Sequence, residues 1–460
     1  MSSKNGMKQL FNPESIAVIG ASHNPSKVGS IILKNLKEGG FTGSLYPVNP
    51  DTSPISGLKT YSSISRVKGQ VDLAIISTPA KTVPKILEDC GRSGVKAAVI
   101  ISSGFKEIGD KGEKLEDDLK KTIERHGITV VGPNCLGVYD SDSGIDTIFL
   151  PSYRMGRPKH GNISFISQSG AFGSALLDWS SEEGFGISKF ISYGNASDVD
   201  EVDLLEYLGN DNDTKVISMY LEGASRPREL IEIGKKVTKK KPVVCLKVGR
   251  TEAGVKAAAS HTGSLSGSDE IYSAAFKQAG ILRVDTIEEM FDYARAFASQ
   301  PQLKGNRLAI ITDGGGFGVM AADSAEKHGL KIAELSKRTK NFLKKSLVPY
   351  ASLGNPIDLT GVANEKHYAA AIDACMADSK VDCILVILLL QPPNVSSDAI
   401  ETLIEINSQH RKPMLVCSAG GRYTKTHTDI LEDSGIPVFP TPDRAAKAMA
   451  ALYKYSKIKN

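Results

Sequence analysis

At 460 residues the chain exceeds what one hydrophobic core organises, so two to four domains are expected. Its 41% hydrophobic and 23% charged content is that of an ordinary globular protein, and a net charge of +4 over this length selects no anionic partner. No dense Lys/Arg stripe with interleaved aromatics occurs, no apolar run reaches the roughly 18 residues of a membrane span, and the first residues lack an apolar signal core; nucleic acid, membrane and export are set aside. Six scattered cysteines without a Cys-x-x-Cys pair fit a reducing cytoplasm and buried thiols, not a disulfide frame or a zinc site.

The first segment alternates strand and helix. Strands are expected at Ser15–Gly20, Ser44–Val48, Asp72–Ile76, Ala97–Ile101 and Thr129–Val131, with helices from Val28, from Val83 and over Glu113–His126. Short apolar strands alternating with helices imply a parallel sheet covered on both faces, whose ligands bind at the C-terminal strand ends. Those ends read Gly20-Ala21-Ser22, Asn49-Pro50, Ser77-Thr78-Pro79, Ser102-Ser103-Gly104 and Gly132-Pro133-Asn134-Cys135, all small or polar and suited to close approach by a phosphorylated ligand. A nicotinamide dinucleotide is disfavoured. The full Gly-x-Gly-x-x-Gly fingerprint is absent, and Asn49 stands where an acid would grip the ribose.

A turn-rich connection over Tyr139–Gly161 leads into a second segment ending near Gln300, and a third runs from Lys304. These two are copies. Phe165–Gly173 aligns with Ile310–Gly318, and Asp178, Gly184 and Ile187 fall on Asp323, Gly329 and Ile332 without a gap. Lys241–Arg250 parallels Lys412–Arg422. From Arg250 to the strand start at Ile281 is 31 positions, whereas Arg422 to Ile436 is 14, so the second segment carries 17 extra residues. They fall on the loop that contains His261, whose Gly/Ala/Ser-rich part is Gly254–Gly267. The basic run Lys239-Lys240-Lys241 reads as a complement to a helix C-terminus.

Ser167-Gln168-Ser169-Gly170 and Asp313-Gly314-Gly315-Gly316 each close a strand and open a helix, where free N–H groups and the positive helix end favour an anion. Ser167 and Ser169 are candidate hydroxyl donors. No second ligand stands near His261 at metal spacing, so no metal is expected, and a phosphorylatable imidazole fits better. Glu222, at the end of the buried strand Val216–Leu221, is placed to orient that imidazole; the matching strand of the third segment ends in Gln391.

These motifs, in this order, resemble the alpha subunit of ADP-forming acetyl-CoA synthetase, of the nucleoside-diphosphate-forming acyl-CoA synthetase superfamily that includes succinyl-CoA synthetase. The resemblance spans essentially the whole chain, from Ile19–Ser22, Pro47–Pro50 and Gly132–Cys135 through Ser167–Gly170, Tyr220–Gly223 and Ser260–Leu265 to Asp313–Gly318 and Gly354–Gly361. It implies a Rossmann-like CoA-binding domain over 1–148, a flavodoxin-like domain with the phosphohistidine loop over 158–300, and a second flavodoxin-like ligase domain over 304–460. CoA contacts are then expected from Gly20, Ala21, Ser22, Lys27, Val48, Asn49, Pro50, Ser77, Thr78, Pro79, Asn134 and Cys135. Phosphate contacts are expected from Ser167, Gln168, Ser169, Gly170, Gly314, Gly315 and Gly316.

The implied reaction converts acyl-CoA, phosphate and ADP reversibly to free acid, CoA and ATP through an acyl phosphate and phosphohistidine. His261 carries the phosphoryl group and Glu222 holds its ring. The family also needs an ATP-grasp domain. This chain has no residues left for one, so a separate beta subunit carrying Mg²⁺ and ADP/ATP is expected, in an α2β2 heterotetramer. The alternative is a non-catalytic CoA-binding regulatory subunit, against which His261, Glu222 and both glycine turns argue. The acyl group is not legible in the sequence.

Overall fold

The computed structural model describes residues 6–256, 268–409 and 411–459. The chain forms two compact units, Met1–Arg283 and Val284–Asn460.

The first unit holds two sheets. After a short helix α1 (Met7–Phe11) come β1 (Ser15–Ile19), α2 (Val28–Glu38), β2 (Ser44–Val48), β3 (Leu73–Ile76), α3 (Val83–Arg92), β4 (Ala97–Ile100), α4 (Asp110–His126) and β5 (Thr129–Val131). The strands are parallel, in the order β2-β1-β3-β4-β5. β1, β3 and β4 are buried at every position, as a sheet covered on both faces requires. The second sheet comprises β6 (Gly137–Asp140), β7 (Ile145–Asp146), β8 (His160–Ser167), β9 (Ile187–Ser192), β10 (Val216–Leu221), β11 (Val243–Lys247) and β12 (Leu282–Val284). Its helices are α5 (Gly170–Glu182), α6 (Glu201–Asn210), α7 (Pro227–Thr238) and α8 (Asp269–Ala279). The order is β12-β11-β10-β8-β9-β6-β7.

The stretch expected as a turn-rich connection thus supplies two strands. β6 adds antiparallel to β9, Gly137 facing Ser192 and Asp140 facing Lys189. A four-residue strand whose partner lies about 50 positions away leaves no local periodicity to read.

Both lobes of this unit share one apolar core, running from Ile16, Val18 and Leu73 to Leu205, Ile217 and Leu221. Backbone bonds seal the seam. Asn195, Ser197 and Val199 N–H groups donate to the carbonyls of Pro133, Gly132 and Val130 at 2.9, 3.1 and 3.1 Å, and Val130 N–H donates to Asp198 Oδ2 at 2.8 Å. Gly194 permits the approach. Its φ is +56°, and a Cβ there would stand 2.7 Å from the Asn134 carbonyl carbon.

The second unit repeats the plan. It contains α9 (Ile287–Ser299), β13 (Arg307–Thr312), α10 (Gly315–Lys327), β14 (Lys331–Ile332), α11 (Lys337–Ser346), β15 (Ile357–Asp358), α12 (Glu365–Ala377), β16 (Cys383–Ile387), α13 (Asp398–Ser408), β17 (Met414–Cys417), α14 (Arg422–Asp433), β18 (Val438–Phe439) and α15 (Pro442–Lys459). Its strands follow β14-β13-β16-β17-β18, with β15 also paired to β13. Helix α9, counted with the second segment in the sequence, is bonded into this unit. Arg444 Nε donates to Asp292 at 2.7 Å and Arg295 to Glu432 at 2.5 Å.

The internal repeat extends to single hydrogen bonds. Ser167 Oγ donates to the Ser169 carbonyl at 2.7 Å, and Thr312 Oγ1 to the Gly314 carbonyl at 2.9 Å. Lys241 Nζ donates to the carbonyls of Leu208 and Asp211, and Lys412 Nζ to those of Cys375 and Asp378. The basic residue does complete a helix C-terminus, but that of α6, the helix before its own neighbour α7.

Candidate functional site

In each sheet the strand order reverses beside the first of its parallel strands, β1, β8 and β13, and the crevice at such a point is where open α/β sheets bind ligands. In the first unit the C-terminal ends of both sheets border one cleft of about 1090 Å³. Ser77, Thr78, Pro79, Asn134 and Cys135 form one part of its wall, and Gln168, Ser169, Gly170 and Gly223 another. Gly20, Ala21, Lys27, Val48, Asn49 and Pro50 do not line it, although Val28 does. Ser22 borders a smaller hollow of about 260 Å³ with His23, Ser30, Lys34 and Lys37.

The turn at Gly20 has its own logic. Its φ is +98°, and a Cβ on Gly29 would overlap the Gly20 carbonyl, so the start of α2 sits directly on the end of β1. Asn49 closes this turn. Its Nδ2 donates to the Ala21 carbonyl at 2.6 Å, and its Oδ1 accepts from Asp51 N–H at 2.8 Å. The residue that replaces the ribose-binding acid is therefore a brace for the glycine turn. Cys135 is buried, donates to the Ile100 carbonyl at 3.3 Å, and burial pushes its thiol up to about 12, which leaves it neutral.

At the second sheet, Ser169 caps α5, its Oγ accepting from Phe172 N–H at 3.3 Å. The start of α5 lines the cleft, so its dipole and unbonded N–H groups favour an anion there. The two serines divide. Ser169 faces the cleft, whereas Ser167 is buried with its proton committed to the Ser169 carbonyl. Gln168 Oε1 accepts from the N–H groups of Glu222 and Gly223 at 2.8 and 3.1 Å. The anion turn and the strand-end acid are thus built as one piece. Glu222 is 6% exposed, and the Tyr220 hydroxyl donates to its Oε1 at 3.4 Å. His261 lies outside the described residues.

The Gly314–Gly316 turn stands in the second unit at the equivalent point of β13 and α10. Asp313 replaces Gln168, and its carboxylate accepts from Leu389 N–H at 3.2 Å from both oxygens. Burial pushes this carboxyl up to about 6, with Asp358 adding to the rise. A Cβ on Gly315 would lie 2.8 Å from Asp358 Oδ2.

Residues 14–141 match the CoA binding domain family, 160–297 the succinyl-CoA ligase like flavodoxin domain and 308–459 the ligase-CoA domain. The alpha subunit of acetate–CoA ligase [ADP-forming] I of Pyrococcus furiosus is 44% identical, with 98% of each chain covered. This chain belongs to the family of ADP-forming acetate–CoA ligase alpha subunits. The acetate–CoA ligase [ADP-forming] of Methanocaldococcus jannaschii is 42% identical over 98% of this chain, which spans 64% of that longer protein. Among solved structures, the dinucleotide forming acetyl-coenzyme A synthetase 1 of Ca. Korarchaeum cryptofilum, in complex with phosphate and ADP, superimposes with a TM-score of 0.93 at 40% identity, covering 98% of this chain and 97% of that one. Among the described residues no helix is long and apolar enough to cross a membrane.

The cleft also has walls that the sequence did not announce. Asn195, from the turn after β9, donates through Nδ2 to Glu107 Oε2 at 2.7 Å and to Glu116 Oε2 at 3.0 Å. Lys106 Nζ donates to the Asn195 carbonyl. Phe149, Leu150, Lys106, Glu107 and Asn195 all line the cleft. The one local signal was Gly194, whose close approach to Asn134 forces the turn.

Proposed function

We propose that this chain is the CoA-binding, histidine-carrying subunit of an enzyme that converts acyl-CoA, phosphate and ADP to free acid, CoA and ATP, reversibly. The observation that carries the reading is that the C-terminal strand ends of both sheets border one cleft. The Ser77–Pro79 and Asn134–Cys135 strand ends border it on one side, and the Gln168–Gly170 turn, tied to Glu222, borders it on the other.

A phosphate oxygen attacks the thioester carbonyl, the C–S bond breaks and CoA leaves, giving an acyl phosphate. The start of α5 and Ser169 favour the anionic charge carried through this step. The His261 imidazole then attacks phosphorus. The P–O bond to the acyl group breaks, and the free carboxylate departs. Glu222 accepts the imidazole N–H and stabilises the positive charge that develops on the ring. Finally an oxygen of ADP takes the phosphoryl group, the P–N bond breaks and imidazole returns. Phosphate contacts from Gln168, Ser169, Gly170 and Gly314–Gly316, with Ser167 bracing the turn through the Ser169 carbonyl, and CoA contacts from Gly20–Ser22, Lys27, Val48–Pro50, Ser77–Pro79, Asn134 and Cys135, belong to this reading. So do Mg²⁺ and ADP/ATP on an ATP-grasp beta subunit, and an α2β2 assembly in the cytoplasm. The alpha-subunit name of the Pyrococcus relative and the extra length of the Methanocaldococcus protein support a partner chain.

The test is incubation with labelled ATP, Mg²⁺ and the beta subunit. An acid-labile, base-stable phosphoryl group should appear on this chain and vanish in His261→Ala. CoA binding without any label in the unmodified protein would leave only the regulatory reading.

A further inference from the structure

Four consecutive backbone N–H groups follow β10, those of Glu222, Gly223, Ala224 and Ser225. Side chains from three separate elements accept from all four. Gln168 takes the first two. The Tyr272 hydroxyl, on α8, accepts from Ala224 N–H at 2.9 Å, and the Glu201 carboxylate, in the first turn of α6, accepts from Ser225 N–H at 3.2 Å. Gly223, Ala224 and Ser225 line the cleft. A loop at a binding cleft ordinarily leaves such groups to water or ligand. Here their directions are fixed by the protein.

Both outer holders are themselves fixed. Glu201 is 1% exposed and adjoins the Asp200–Asp203 capping box of α6. Burial pushes its carboxyl up to about 7, Asp200 adds to the rise, and Ser225 N–H and Arg226 oppose it. The buried Tyr193 hydroxyl also meets this carboxyl, yet a buried carboxyl that disfavours its own charge is still an expensive holder for a backbone N–H, and such groups cluster at working sites. The buried Tyr272 ring lies beneath the Lys247 ammonium, 4.4 Å from its centroid. Lys247 in turn sits opposite Leu221, the residue before Glu222, in the β10–β11 register.

We propose that Glu201 and Tyr272 are positioning residues that act through the 222–225 backbone to hold the Glu222 carboxylate in its working direction. The inference rests on Glu222 being the partner of His261. Gln168 anchors the start of the segment, and Tyr272 and Glu201 anchor its end, so Glu222 cannot swing by rotation of the peptide units after it. Sub-ångström displacement of a group that orients a nucleophile is enough to change rate strongly.

The test uses the enzyme assembled with its partner subunit, charged on His261 with labelled ATP and freed of nucleotide. Loss of label is timed after acetate and CoA are added. Tyr272→Phe keeps the ring and removes the acceptor. Glu201→Leu removes its acceptor, and Glu201→Gln keeps one. Tyr272→Phe and Glu201→Leu should each slow discharge about tenfold with CoA affinity unchanged, while Glu201→Gln stays near the unmodified rate. In a Glu222→Gln background, Tyr272→Phe should add nothing, because both act through one carboxylate. Equal slowing by Tyr272→Phe with and without Glu222, or no slowing in either, overturns the positioning role while the slow discharge of Glu222→Gln keeps that residue in the mechanism. Discharge of Glu222→Gln at the unmodified rate removes Glu222 from the mechanism, and the proposal with it.

Discussion

Asp313→Asn should stabilise the second unit at neutral pH and leave it unchanged in acid. Asp313 is 5% exposed, and its ordinary value of 3.8 is pushed up to about 6, chiefly by burial. The folded state therefore holds the proton more tightly than the unfolded chain. The stability attached to that proton is present in full below about pH 4 and is lost as pH rises through about 6. The gap between 3.8 and about 6 corresponds to about 3 kcal/mol at neutral pH. Asparagine carries no charge and keeps an oxygen for Leu389 N–H, so it removes the penalty without orphaning the donor. The Tyr368 hydroxyl, which also bonds the Asp313 side chain, keeps its 3.1 Å bond to the Ile387 carbonyl and finds an acceptor in the asparagine oxygen. Urea unfolding of both proteins at pH 4 and pH 8, followed by a probe in residues 284–460, measures the effect. A gain of about 1–3 kcal/mol at pH 8 that disappears at pH 4 is expected. A pH-independent difference, or a variant less stable at pH 8, would falsify the assignment of the cost to a buried charge.

Gly194→Ala should loosen the seam by about 2 kcal/mol or more, since the new Cβ meets the backbone of Pro133 and Asn134 in a left-handed conformation; lower thermal stability and weaker CoA binding by calorimetry would be seen. Asn49→Asp should not create a nicotinamide site. It replaces the donor to the Ala21 carbonyl with a carboxylate, and CoA titration should show weaker binding with no gain of NAD binding. Iodoacetamide should leave all six cysteines unmodified in the native protein, because every one is buried and burial raises each thiol; peptide mass mapping reads this, and rapid labelling of Cys135 would contradict its placement.

Much of the architecture was legible because it is local. The strand over Val216–Leu221 and the helix starting at Val28 have the limits that apolar runs and turn residues gave them. The alignment of Phe165–Gly173 with Ile310–Gly318 foretold paired turns down to the hydroxyls of Ser167 and Thr312. The place of Glu222 was legible because the apolar run Val216–Leu221 ends at the residue before it, at the C-terminal end of a buried strand. Tertiary structure alone decided the rest. It tied Gln168 to Glu222 across 54 positions and Asn195 to Glu107 across 88, recruited residues 137–146 into the second sheet, and tied the Asn49 amide to the Ala21 carbonyl as a brace. Periodicity and turn chemistry act over a few residues and survive in the sequence. The direction of a polar side chain is set by whichever buried donor or acceptor folding brings beside it, and no local pattern records that partner.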